Sequence, residues 1–298
     1  MVAFLERWQV PLLIVALGLG VLIAPLGDVT PAINPVLMAL LYATFLAVPL
    51  RALRAALIDV RFLTALLILN FVVVPVVVFA LSRFVASDPV LLLGVLLVLL
   101  APCIDYVIVF SGLAGAANER LLAAAPILML VQMLLIPVYV RLLGGPTDLI
   151  EAGPFLEALV LFIVIPLGLA ACTQWLKLSQ IMVAMNGLMV PLMMLTLMVV
   201  VASQIGGVEA SMLTVVPIYV AFVAFMVPLG KIVGRLFGQD VPATRALVFS
   251  GVTRNSLVVL PLALAVPGVA PVVVTQTLVE LVAMVILVRF VPRMVPKR

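Results

Sequence analysis

A chain of 298 residues that is 67% hydrophobic and only 9% charged, with mean hydropathy +1.46, cannot be folded around a soluble core. Its composition specifies an all-α polytopic membrane protein, and the lipid bilayer is its first partner. The net charge of +4 is carried by residues flanking apolar runs, which excludes a nucleic-acid surface, and the count of zero histidines removes the commonest metal ligand and proton relay.

Apolar runs of spanning length predict ten transmembrane helices, at about 9–27, 33–50, 62–82, 89–117, 121–143, 154–176, 180–204, 210–236, 243–267 and 269–291. The first follows Glu6 and Arg7 and is longer than a signal-peptide core. No small-residue cleavage site stands behind it, so it reads as a retained span. Span two carries Asn34 ahead of Leu37-Met38, and span three carries Asn70 and, late, Pro75. Span four contains Ala101-Pro102-Cys103-Ile104-Asp105, where lipid would tolerate none of the last four positions' polar members cheaply; Pro102 should kink or unwind it. Span five has Pro126 and Gln132. Cys172 near the inner end of span six reads as a packing residue. The methionines of span seven, from Met182 to Met198, read as gap-fillers and not as a copper path, and Gln204 closes that span. Gly230, Gly234 and Gly238 at the end of span eight predict close helix packing and leave any homo-oligomer undetermined. Span nine holds Gly251-Val252-Thr253-Arg254-Asn255-Ser256, a second interruption, and span ten holds Pro271, Gln276 and Glu280.

Of the 16 lysines and arginines, only Arg83 and Arg141 fall on the outer side if the N-terminus is cytoplasmic, and Arg254 lies within a span. That asymmetry places both termini inside, in the inner (plasma) membrane. The chain divides into halves 1–149 and 150–298, five spans each, so the second half must enter the membrane inverted. Echoes support a repeat: Asn34 with Asn186, Pro75 with Pro228, the Cys103–Asp105 stretch with Thr253–Asn255, and Pro126 with Pro271. Secondary transporters with inverted repeats place their sites near the midplane, at discontinuous helices.

An Asp at the centre of a membrane helix costs about 2.5–3.5 kcal/mol on the insertion scale, so Asp105 and Arg254 are functional candidates and natural partners. Either the pair fixes how the halves cross, or Asp105 exchanges a proton against Arg254 as a fixed counter-charge. Glu280 is the third intramembrane charge and a further candidate for ion or proton coupling. Gln276 one turn earlier, Gln132 in the related span five, Thr253, Asn70 and Gln204 are further polar candidates, for cargo contact or for satisfying backbone at the breaks. Asn255 and Ser256 complete the candidate substrate contacts. Cys103, beside the break, is either a buried packing residue or a soft ligand. No phosphate-binding loop, zinc-protease motif or nucleophile elbow is present, so neither an enzyme nor a cofactor is expected.

The segment Ala101-Pro102-Cys103-Ile104-Asp105-Tyr106 resembles the fourth span of arsenite exporters within the bile acid/sodium symporter superfamily. The stretch Arg254-Asn255-Ser256-Leu257 resembles the Gln-Asn-Ser element of its sodium/bile acid branch. The resemblance implies a panel domain beside a core domain, with broken spans four and nine crossing in the core. It also implies that Cys103 contacts trivalent arsenic. Departures are specific. The exporters' span-nine Glu is absent after Asn255-Ser256, and the symporters' acidic sodium ligand and Gln are here Ser250 and Arg254. A fixed cation where sodium would sit implies proton antiport of arsenite or antimonite. The alternatives are a sodium- or proton-coupled organic-anion symporter and a non-transporting receptor or scaffold.

Overall fold

The computed structural model describes residues 9–27, 29–47, 59–103, 106–146, 152–204, 206 and 210–296. Within them all regular secondary structure is helical. In chain order the helices are α1 (Gln9–Ile23), α2 (Thr30–Ala47), α3 (Val60–Ile68), α4 (Val74–Ser82), α5 (Pro89–Leu99), α6 (Tyr106–Leu113) and α7 (Asn118–Leu142). There follow α8 (Ala152–Leu159), α9 (Ile165–Trp175), α10 (Ser179–Gln204), α11 (Val216–Leu236), α12 (Val241–Val252), α13 (Ser256–Leu264) and α14 (Val269–Met294).

Aspartates and prolines set several of the helix starts. The carboxylates of Asp59, Asp88 and Asp240 accept backbone N–H groups of Phe62, of Val90 and Leu91, and of Ala243. Each satisfies donors that a first helical turn leaves unpaired. Pro89 and Pro242 stand where a missing N–H costs nothing. Prolines inside spans act differently. Pro75 cannot donate to Phe71, and Val74 reaches back five residues to Leu69, so Leu69–Val73 winds as a π turn joining α3 to α4. The freed Phe71 carbonyl accepts the Tyr139 hydroxyl instead. Pro166 produces the same device, with Ile165 donating to Val160 across the π turn Val160–Val164 between α8 and α9. Neither π turn was expected from hydropathy.

Among the described residues five stretches are long and apolar enough to cross a membrane: Thr30–Ala47, Val60–Val85, Ser179–Gln204, Met212–Leu236 and Val269–Met294. Spans four and nine, expected to be interrupted, are pairs of half-helices, α5/α6 and α12/α13. The 11 residues of α5 reach only about 16 Å, roughly half the hydrocarbon thickness. Helices α1, α2, α9 and α10 pack chiefly on one another, α11 packs along α12, and α14 lies against α5 and α13.

The small-residue spacing in α11 serves contacts within the chain. A Cβ on Gly230 would lie 2.8 Å from Val248 Cα, and one on Gly234 would lie 2.7 Å from Thr244 Cγ2. Of the methionines of α10, Met193 is buried in the hydrophobic core, and Met182, Met185, Met189 and Met194 are half-buried against it. Cys172, expected to pack, is exposed on α9, because that face of the helix points away from its neighbours.

Basic side chains tie down helix C-termini. Arg245, grouped by sequence with the inner flanking charges, is buried; its Nε and one terminal nitrogen reach the Val295 carbonyl at 3.0 and 2.8 Å, and the other reaches Ala114 O at 2.8 Å. Lys231 Nζ donates to Met294 O at 2.8 Å, and Arg83 to Leu143 O at 2.6 Å. Arg120 bridges the N-capping carboxylates of Asp59 (3.4 Å) and Asp240 (3.1 Å).

Gly230→Val should destabilise the protein by about 1–3 kcal/mol, since the α12 backbone must move to admit the side chain. Gly18→Ala, inside α1 with no described atom within 4 Å of the added carbon, should not lower the thermal transition in detergent and should raise it slightly, by the helix propensity of alanine.

Candidate functional site at the helix crossing

Two interrupted helices meet end to end and pair. Beyond the C-terminus of α5 the chain runs through Ala101, Pro102 and Cys103; beyond α12 it runs through Thr253, whose backbone is extended (φ −81°, ψ 131°), to Arg254 and Asn255. Asn255 N–H donates to Ala101 O at 2.8 Å, and Cys103 N–H to Thr253 O at 3.3 Å, forming a one-residue antiparallel bridge with Pro102 opposite Arg254. In hydrocarbon every unwound backbone group needs a partner, and here the two breaks supply each other's. Pro102 and Arg254 form the non-hydrogen-bonded pair of that bridge, the one position where a proline loses nothing. The same geometry turns the Arg254 N–H away from Pro102, and Glu280 Oε2 accepts it at 2.7 Å.

The Arg254 guanidinium is wholly buried. One terminal nitrogen donates to Asn70 Oδ1 at 3.0 Å, to Gly251 O at 2.9 Å and to Ser250 O, and the other approaches Leu99 O at 3.4 Å. Its carbon stands 5.5 Å from the Phe222 ring centroid, a cation–π contact. Ser250, Gly251 and Leu99 carry last-turn carbonyls of α12 and α5, so one cation closes the negative ends of two helices. Among the described residues no carboxylate lies within ion-pair distance of this guanidinium. Asn70 is aimed by the π turn it occupies, with its amide nitrogen held by Leu66 O (3.1 Å) and Ser250 Oγ (3.0 Å).

Around this centre the candidate residues separate. Glu280 Oε2 also accepts Gln276 Nε2 at 2.6 Å, so Arg254, Glu280 and Gln276 form one buried chain. Thr253 Oγ1 donates to Phe249 O at 2.6 Å and lies 3.7 Å from Met284 Sδ, extending the cap of α12. Asn255 caps α13 through Val258 N–H at 3.2 Å. Ser256 lines a cavity of about 10 Å³ with Thr277 and apolar residues of α10, room for at most one water. Cys103 is buried at the bridge. Asp105 lies outside the described residues, and with it the expected Asp105–Arg254 pair. Gln132 is buried in α7 and is not hydrogen-bonded into this chain of groups; neither of its amide atoms has a partner among the described residues. Arg254 Nε, Asn255 Nδ2 and Gln276 Oε1 are likewise buried and unpaired among the described residues.

Sequence reasoning offers Asn70 as a further polar candidate without singling it out as a partner of Arg254; its signal is a lone amide five residues before the late proline of span three. The carbonyls of Leu99, Ser250 and Gly251 gave no signal, because every residue has one. Among the described residues no group of three His, Cys, Asp or Glu could hold a metal ion. The oxygens gathered here, one amide and three carbonyls, are instead hard donors of the kind that bind an alkali cation, and Arg254 fills their centre.

Comparison with known proteins agrees with a membrane transporter. The model of the sodium bile acid symporter family matches residues 34–177, just under half of the chain, from α2 through α9. The match supports the superfamily and includes the Cys103 segment but not the Arg254 segment. No curated protein matches the chain. Members of the matched family are transporters.

Asn70→Leu should cost about 1.5–3 kcal/mol of stability, the range for losing a hydrogen bond to a charged group, and Asn70→Gln less. Thermal unfolding of the two variants in detergent measures the difference.

Proposed function

We propose that this chain is a secondary active transporter that works without bound sodium, because Arg254 supplies a covalently attached cation at the helix crossing. The observation that carries this reading is the guanidinium seated among Asn70 Oδ1 and the carbonyls of Leu99, Ser250 and Gly251. A sodium ion there would meet a fixed positive charge within contact distance. Proton exchange is the remaining driver. Glu280, hydrogen-bonded to the Arg254 amide, and Asp105, two residues beyond Cys103, are the carboxyls for it. In this reading the halves 1–149 and 150–298 are inverted five-span repeats, and both termini are cytoplasmic.

The cargo in this proposal is trivalent arsenic or antimony, exported by proton antiport. Cys103 contributes one soft ligand at the break, and a single thiol permits release as well as capture. Arsenous acid is an uncharged hydroxide at neutral pH, so it requires hydrogen-bonding groups and no counter-charge. Asn255 Nδ2 and Gln276 Oε1 beside the crossing, unpaired among the described residues, offer one donor and one acceptor. An organic-anion symporter would need guanidinium N–H groups directed at the cargo. Both terminal nitrogens of Arg254 are directed at protein oxygens, and of the guanidinium only Nε has no partner among the described residues; a carboxylate would need more than that one N–H, which favours the first reading.

Everted membrane vesicles with imposed gradients test this. Arsenite should accumulate when the interior is acid, with no requirement for sodium, and Cys103→Ser should reduce the rate at least tenfold. Sodium-driven accumulation by the unaltered protein would overturn the proposal. Carboxylate uptake lost in Arg254→Gln would establish the symporter, and transport of neither cargo would leave a receptor or scaffold.

A further inference from the structure

We propose that the groove between α11 and α14 binds one anionic diacyl phospholipid, with an acyl chain in the groove and the phosphate on Arg289 and Arg293. The groove has a volume of about 500 Å³, room for one acyl chain. Its walls include Val216, Val220 and Val223 from α11 and Val279, Val282 and Ile286 from α14. Every residue lining it is apolar. Along α14, positions 279, 282, 286, 289 and 293 follow at spacings of three and four, so one helix face runs from the groove into Arg289 and Arg293. Both arginines are exposed. Lys231 of α11, held 2.8 Å from Met294 O, adds a third cation at the same end.

Nothing of opposite sign among the described residues answers these charges. Among the described residues none of Lys231, Arg289 and Arg293 has a carboxylate within ion-pair distance. The one acid on α14, Glu280, is buried and bonded to the Arg254 amide. The face is therefore apolar along its length and cationic at its end, the complement of a phospholipid with a negative head. Basic pockets between membrane helices recognise such head groups. A second copy of the chain related by a two-fold axis along the membrane normal would bring both arginine pairs together, which like-charge repulsion opposes. A zwitterionic lipid would add its own cation to the cluster.

Native mass spectrometry of the purified, delipidated protein, titrated with phosphatidylglycerol or phosphatidylcholine, tests the assignment. One phosphatidylglycerol should be retained in preference to phosphatidylcholine. The exposed double substitution Arg289→Gln with Arg293→Gln should weaken it roughly tenfold or more, and Ala283→Trp, which fills the groove, should displace it. Equal retention of the two lipids, or unchanged retention in the arginine variant, would overturn the proposal. So would a protein dimer that Ala283→Trp dissolves, since the face would then be an interface between copies. The arginine pair lies on the surface, so its result stands even if the tryptophan variant fails to fold.

Discussion

A helix that ends inside a membrane presents carbonyl oxygens to a medium that offers no water, and the structure rests on how those oxygens are satisfied. The unmet carbonyls carry the negative end of the helix dipole, so a cation with several donors answers both needs at once. Guanidinium has five N–H groups in a rigid fork and loses less to dehydration than an ammonium. Arg254 closes α5 and α12, Arg245 reaches Val295 and Ala114 at the ends of α14 and α6, and Arg83 takes Leu143 at the end of α7. Of these, Arg254 and Arg245 are buried with no carboxylate partner among the described residues. Carbonyl dipoles do for them what an acidic partner does elsewhere.

That answer shapes the crossing. Proline ends the first helix, an extended threonine ends the second, and the residues between pair across the gap. Because Pro102 opposes Arg254 in the non-bonded position, the Arg254 amide is left for a carboxylate from a third helix, Glu280. Backbone geometry at the bridge is thus coupled to a buried acid, while the side chain of the same arginine fixes the helix ends. Any movement that opens the bridge must disturb one or both, which is the property a coupled transporter requires of its centre.

The breaks were legible because proline, glycine and polar side chains are costly in apolar spans and stand out against them: Pro102, Gly251 and Thr253–Ser256 were found this way. The environment of Arg254 was not. Charge cost argues for an acidic partner, and Asp105, the candidate by repeat position, lies outside the described residues; within them the groups seated against the guanidinium are mainly main-chain oxygens, which leave no trace in side-chain chemistry. The burial of Arg245 left no signal for a related reason, since a basic residue near a span end is ordinarily an exposed flanking charge. The π turns were written in Pro75 and Pro166, but a proline alone does not say whether a helix kinks, breaks or widens. The glycine spacing in α11 was read as close packing, and the structure locates the partner in α12.

The central claim is that the oxygen cluster at the crossing already holds its cation, Arg254. Thermal unfolding of the purified protein across a sodium titration, with potassium and choline at matched ionic strength, measures this directly, because a ligand that binds only the folded state raises the transition temperature. The account predicts the same curve in all three salts. A saturable rise specific to sodium would contradict it.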